Sequence, residues 1–285
     1  MILSLMRKLT KFTENIKMKK TLYVLSLLAI LLYACKDEDV INSPDHASTQ
    51  ATQDHLFAEQ TFNDVGRIVE EGFLYSGINK SCASYQLMNV DTANADTLII
   101  NFGTTNCLHN AKLRKGKIII TYTRKYLDSL AVITTTFDNY YLNNNLIQGE
   151  RTVANQGRNN QGNMWFTIEV NNASIATNNG TINWNANRTR EWVSGGATYD
   201  NISDDQYKIT GSANGTGVNN NSFSMEITDP LTIDLGCLPS CVIKSGEAKI
   251  TPNGYADRII NYGDSLCNCN FDITINGSTY PIVVN

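Results

Sequence analysis

Apolar and polar positions change their spacing twice along the chain. Residues 22–34 form an apolar run, broken only by Ser26, behind Met18-Lys19-Lys20-Thr21. After a polar stretch, Leu56, Phe57, Phe62, Val65, Ile68 and Val69 recur at roughly helical spacing. That pattern predicts one short amphipathic helix between Asp54 and Gly72, with Gly72 as its stop. From about residue 97 the period falls to two. β-branched and aromatic runs at 116–123, 131–139, 149–155, 164–170, 180–184, 207–211, 222–228 and 231–235 predict strands. Asn and Gly cluster between them, at 143–145, 157–162, 178–180 and 214–221, and both residues tolerate the positive φ of tight hairpins. The links are too short for crossover helices, so neighbouring strands must be antiparallel. The expected fold class is all-β, mainly an antiparallel meander in one large twisted sheet or a sandwich, with one short N-terminal helix.

The first apolar run is an address rather than a structural element. Its thirteen residues span roughly 20 Å as a helix, short of a ~30 Å hydrocarbon core. With the basic stretch before it, residues 1–34 read as a removable signal peptide, and Met18 reads as the true start. Leu32-Tyr33-Ala34-Cys35 resembles the lipobox of bacterial lipoproteins, although Tyr33 is bulkier than usual. Lys36, Asp37, Glu38 and Asp39 resemble the acidic export signal of Bacteroidota lipoproteins. The resemblance implies an acyl lipid on Cys35 and a membrane partner reached through it. It also implies a place on the outer membrane, facing the cell exterior. An ordinary signal peptide followed by a chance cysteine and a solvated acidic run is the competing reading. Residues 35–54 then serve as lipidated cysteine and flexible polar tether, and residues 55–285 form the β-rich domain.

Charge narrows the partners. Residues 1–34 hold six Lys/Arg and one Glu, so 17 basic and 26 acidic residues remain, a net charge of −9. That balance excludes a nucleic-acid partner, whose phosphates need a basic footprint. An apolar content of 42% across 285 residues is enough for a real core.

An internal repeat bears on the seven cysteines. Ile99-Ile100-Asn101-Phe102-Gly103-Thr104-Thr105-Asn106-Cys107 returns as Ile259-Ile260-Asn261-Tyr262-Gly263-Asp264-Ser265-Leu266-Cys267. The repeated regions are about 82–123 and 241–285. Lipidation of Cys35 leaves six cysteines, and the matching upstream spacing picks out Cys82–Cys107 and Cys241–Cys267, with Cys237–Cys269 as the third bridge. A zinc site made of Cys237, Cys241, Cys267 and Cys269 competes with that scheme. Export to a compartment where disulfides persist favours the bridges, so no metal and no cofactor is expected.

Candidate chemistry is sparse. Of the three histidines, His46 falls in the tether, His55 in the helix and His109 in a turn, where it reads as solvated. Glu150, Glu169, Glu191, Glu226 and Glu247 fall where solvent-facing alternation explains them. The acidic loop from Asp200 to Asp205 lacks calcium-loop spacing and reads as a plain polar loop. Trp165, Trp184 and Trp192 are candidates for stacking on a ligand, against core packing as the alternative.

Arg114-Lys115-Gly116-Lys117-Ile118-Ile119-Ile120-Thr121-Tyr122, Thr134-Thr135-Thr136-Phe137-Asp138-Asn139-Tyr140-Tyr141 and Arg188-Thr189-Arg190-Glu191-Trp192 extend the resemblance. So do Asn261-Tyr262-Gly263-Asp264 and Asn276-Gly277. The chain resembles a family of uncharacterised Bacteroidota surface lipoproteins, which implies the address and the fold but no activity. Cys237 and Cys269 look like additions to the family's pattern. The expected function is non-catalytic binding or scaffolding of a glycan or protein ligand from a lipid anchor. An adhesin-like structural protein and a glycan hydrolase using paired carboxylates are the rivals.

Overall fold

The computed structural model describes residues 44–74, 82–88, 95–198, 201–238, 242–263, 266–267 and 270–283. Cys35 and the export signal Lys36, Asp37, Glu38 and Asp39 lie outside the described residues, as do Cys241 and Cys269.

Among the described residues one α-helix, α1 (Pro44–Leu74), precedes a single antiparallel sheet. Its strands are β1 (Ser84–Met88), β2 (Asp96–Asn101), β3 (Cys107–His109), β4 (Lys112–Tyr122), β5 (Val132–Leu142), β6 (Asn145–Arg158) and β7 (Met164–Thr177). They continue as β8 (Gly180–Ser194), β9 (Gln206–Thr216), β10 (Ser222–Asp234), β11 (Ile243–Pro252), β12 (Arg258–Asn261), β13 (Asn270–Ile275) and β14 (Ser278–Val283). Strands pair in sequence order, except that β2 and β3 both pair with β4. The all-β meander with one N-terminal helix is therefore the fold, in one sheet and not a sandwich.

The helix is longer than its apolar spacing predicts. It begins at Pro44, where a fixed φ suits a first turn, and so takes up residues 44–54 of the expected tether. It also runs past Gly72, which is no stop. A Cβ at Gly72 would lie 2.6 Å from Ile100 Cδ1 and 3.1 Å from Leu98 Cδ2, so glycine is needed there for the helix to touch β2.

The sheet curls around α1. The adjacent residues Glu70 and Glu71 reach Arg190 on β8 and Tyr85 on β1, respectively. Six strand spacings separate β1 from β8 in the sheet order. In a flat sheet that would be roughly 29 Å, far beyond the side chains of a helix ~10–12 Å across. Bulges supply the bend. Register shifts interrupt β4–β5, β5–β6, β6–β7, β7–β8, β9–β10 and β10–β11 part-way along the strands. Each bulge kinks its strand and adds right-handed twist. At the β4 bulge Gly116 has φ 86°, and a Cβ would overlap the Asn139 carbonyl oxygen across the ladder.

Inside the curl, Ala51, Ala58, Phe62, Val65, Ile68 and Val69 of α1 meet Leu98, Ile118, Ile147, Ile175, Trp184, Phe223 and Ile250 of the sheet. Two-residue turns with paired positive φ, such as Asn143-Asn144 (49° and 67°), connect long strands. This is the turn whose twist matches the flanking strands.

The repeat has a structural counterpart. Asn101 Oδ1 accepts from the Gly103 N–H and Asn261 Oδ1 from the Gly263 N–H, each at 2.9 Å. The next backbone bond is also shared: Phe102 N–H donates to the Gly116 carbonyl and Tyr262 N–H to the Gly246 carbonyl. Cys82–Cys107 is formed as expected. In the second copy Cys267 bonds Cys237, which replaces both Cys241–Cys267 and Cys237–Cys269 and uses two cysteines of the alternative zinc set. The reason is topological. Cys237 closes the 3-10 turn Leu235–Cys237 after β10, and β11 starts at Ile243, pairing with β10 and β12. Cys237 therefore sits in the link after β10 rather than on a strand, and from there its sulfur reaches Cys267.

Candidate functional site

The interior between α1 and the sheet is charged as well as apolar. Every described carboxylate of α1 meets a partner from the sheet or its loops. Asp54 accepts from the Val218 N–H at 2.9 Å, and Glu59 pairs with Arg188 at 2.6 Å. Asp64 is gripped by Arg114 through two bonds, 2.6 and 3.0 Å, with Lys112 and Arg67 on the same carboxylate. Glu70 lies 3.8 Å from Arg190. Glu71 accepts from Tyr85 and Asn110 and meets His109 Nε2 at 2.9 Å. Burial alone would raise the Asp64 carboxyl, but the bonds and charge of Arg114, helped by Arg67 and Lys112, hold it at about 2.

The histidines belong to this seam. His55 is buried and its Nδ1 accepts from Trp184 Nε1 at 3.2 Å, which requires the neutral ring. Burial pushes its pKa down to about 4, against the pull of Glu59. His109 is not a solvated turn residue; it is buried against Glu71 and the Phe102 ring. His46 has no described side chain.

Two of the three tryptophans are removed from the list of stacking residues. Trp184 is 2% exposed and stacks on Phe62, and Trp192 is 7% exposed with Nε1 donating to Asp205. Both project from the inner face of β8, where period-two alternation puts even-numbered residues into the curl. Trp165 is half-buried on the outer side of β7, opposite Glu191.

The glutamates singled out in the sequence are spread over five strands, β6, β7, β8, β10 and β11. Glu150 and Glu169 are exposed on the convex outer face, with Glu226 exposed on β10. Glu247 accepts from the Thr228 hydroxyl. Asn163 and Asn159 both donate to Glu191 and hold its carboxyl below the usual range. In the acidic loop, Thr198 donates to Asp204, while Trp192 and Tyr207 donate to Asp205. Burial raises Asp205 above the usual carboxylate range in spite of those donors. Among the described residues no group of three His, Cys, Asp or Glu could hold a metal ion. Among them, too, no helix is long and apolar enough to cross a membrane.

The structure does open at one rim of the curl, at the N-terminal part of α1. A cleft of about 450 Å³ is lined by Gln50, Gln53, Asn145, Asn178 and Asn179, with Phe57 beside them. The volume suits a small ligand. Three strand–strand hairpins build it: the β5–β6 and β7–β8 turns supply the asparagines, and Val218 of the β9–β10 turn closes the floor. Phe57 is 36% exposed, so its ring remains open to a ligand. Asp54, the carboxylate in the lining, is occupied by Gln50 Nε2 and the Val218 N–H. The sequence marks these positions only as turn residues and one helical apolar residue, and nothing in their spacing shows that they converge.

A second depression, of about 400 Å³, lies on the outer face beside the first repeat turn. Its groups already satisfy one another: Lys117 pairs with Asp138 at 3.0 Å, and Lys115 sits over the Tyr141 ring at 4.3 Å. No protein-family model, curated protein or solved structure matches this chain.

Proposed function

We propose that this chain is a lipid-anchored envelope protein, facing the cell exterior, that binds a neutral polyhydroxylated ligand, a glycan, without transforming it. The observation that carries the binding half is the rim cleft, with amides around an exposed Phe57 ring and its carboxylate already occupied. Amide groups donate and accept together, as sugar hydroxyls do, and an exposed aromatic ring can lie against the apolar face of a pyranose. The address half rests on Leu32-Tyr33-Ala34-Cys35 and the acidic residues after it.

The hydrolase alternative loses ground on geometry. A glycosidase needs two carboxylates flanking one bond, whereas the rim cleft is lined by one, Asp54, whose oxygens already accept from Gln50 and Val218. Glycan-array binding of the mature protein is the test, with Phe57→Ala, Asn178→Ala and Trp165→Ala compared. The reading expects the first two variants to lose binding at least tenfold and the third to keep it. Equal binding by all three variants, or no glycan bound by the wild type, would leave a scaffolding or adhesin-like role.

A further inference from the structure

The chain enters the fold at the same edge of the sheet where the cleft opens. The turns β5–β6 (143–144), β7–β8 (178–179) and β9–β10 (217–221) all belong to that edge, because alternate strands of a meander run the same way. Gln50 and Gln53 of α1 line the cleft, and Asp54 accepts from the Val218 N–H. Further along α1, Glu59 and then Glu70 meet Arg188 and Arg190, successively deeper on β8, so the helix runs from this edge into the curl. Six residues lie between the cleft and the start of α1, from Gln50 back to Pro44, roughly 9 Å of helix.

Chain length then sets the distance from cleft to anchor. Nine residue steps separate Cys35 from Pro44, a reach of at most ~32 Å, and roughly 17 Å for a flexible chain. The 31-residue helix is itself roughly 46 Å long. A lipid on Cys35 keeps the start of α1, and the cleft beside it, close to the bilayer. Charge agrees with that placement. No Asp, Glu, Lys or Arg stands in the three turns at the cleft edge. Of the three loops at the opposite edge between β4 and β9, two are charged: Arg124, Lys125 and Asp128 in β4–β5, and Asp204 and Asp205 in β8–β9. The chain after residue 34 carries −9, and a negatively charged membrane surface repels such a protein. An edge of uncharged asparagine turns meets that surface without repulsion.

We propose that the ligand of the cleft is the sugar head group of a lipid in the membrane that holds the anchor. The protein then binds glycolipid in its own leaflet, not polysaccharide in solution. This inference rests on the two readings above, the lipid on Cys35 and glycan binding in the cleft. Anchoring the chain and the glycan in one membrane turns their meeting into an event at high effective concentration, so a shallow cleft with a single aromatic ring suffices to hold the head group.

The test is photocrosslinking of the mature protein, made in its own host and reconstituted in vesicles of that host's total lipid, with the host's shed soluble polysaccharide added outside. A benzophenone side chain replaces Asn219, exposed in the β9–β10 turn beside the cleft residue Val218, or Leu130, 66% exposed in the β4–β5 loop of the opposite edge. After illumination and proteolysis, the Asn219 peptide should gain the mass of sugar together with acyl chains, and the Leu130 peptide should not. Phe57→Ala, at a partly exposed position, should lower the Asn219 adduct about tenfold. Lipid adducts of equal yield at both positions, or an Asn219 adduct unchanged by Phe57→Ala, would overturn the proposal. An adduct of sugar without acyl chains would overturn it too while leaving glycan binding in place, and no sugar adduct at either position would remove both. The mass of the Cys35 peptide from the same sample tells a failure of the anchor, which also overturns the proposal, from a failure of the cleft.

Discussion

Replacing Asp64 by Asn tests how far the charged seam holds α1 inside the sheet. The substitution keeps size but turns one of two acceptor oxygens into an N–H donor and removes the charge facing Arg114, which is fully buried, and Lys112 and Arg67 beside it. Removing one member of a buried ion pair costs about 3–5 kcal/mol, because the other charge is left uncompensated. In a domain of this size that is a fall in Tm of roughly 10 °C. Urea unfolding followed by near-UV circular dichroism at pH 7 measures it. The double variant Asp64→Leu/Arg114→Met should recover most of the loss, since an apolar pair of similar volume does not bear the desolvation cost. The pH dependence has a defined sign. The folded pKa of Asp64, about 2, lies below its ordinary 3.8. Its contribution is therefore complete above pH 4 and is lost as pH falls toward 2. A loss under about 1 kcal/mol for Asp64→Asn, or a double variant as unstable as the two single changes summed, would refute the reasoning.

Three other outcomes follow from the same contacts. His55 has a folded pKa of about 4 against 6.5, so the unfolded chain takes up a proton that the folded one refuses, and stability falls as pH drops from 6.5 toward 4; in His55→Gln the difference in urea midpoint between pH 7 and pH 5 should shrink, and an unchanged difference would exclude His55 as its source. Gly116→Ala should cost more than 3 kcal/mol, from about 1–2 kcal/mol of left-handed backbone plus overlap with Asn139, whereas Gly103→Ala, at φ 76° with no atom within 4 Å, should cost only the backbone part; equal losses by thermal unfolding would contradict the account of the bulge. Non-reducing peptide mapping should recover Cys82 linked to Cys107 and Cys237 linked to Cys267, and a Cys241–Cys267 peptide would restore the repeat-based pairing.

Strands and turns were legible because one face of the sheet is buried and the other is not, which writes period two into the chain. The alternation stops short wherever a bulge reverses it. Runs at 222–228 and 231–235 read as two strands but are one, β10, interrupted by register shifts around Asp229. The 180–184 run likewise extends to Ser194, because Arg188 and Arg190 occupy inner positions where an apolar residue is expected. The start of α1 was hidden for a related reason. Its inner stripe includes Thr52, Asp54, His55, Thr61 and Asp64, so apolar spacing traces only part of it. Their partners lie up to 164 residues away in sequence, as with Asp54 and Val218. No local pattern encodes such pairs, and the same holds for the rim cleft, assembled from three separate hairpins.

The claim on which the proposed function most depends is the lipid on Cys35. Mass spectrometry of the N-terminal peptide of the mature protein, purified from membranes of its own host, tests it directly. The account predicts a chain beginning at Cys35, heavier than its sequence by a diacylglyceryl group and an attached acyl chain, and its loss from the membrane fraction in Cys35→Ser. A mature chain that begins elsewhere, or an unmodified Cys35 thiol, would contradict it.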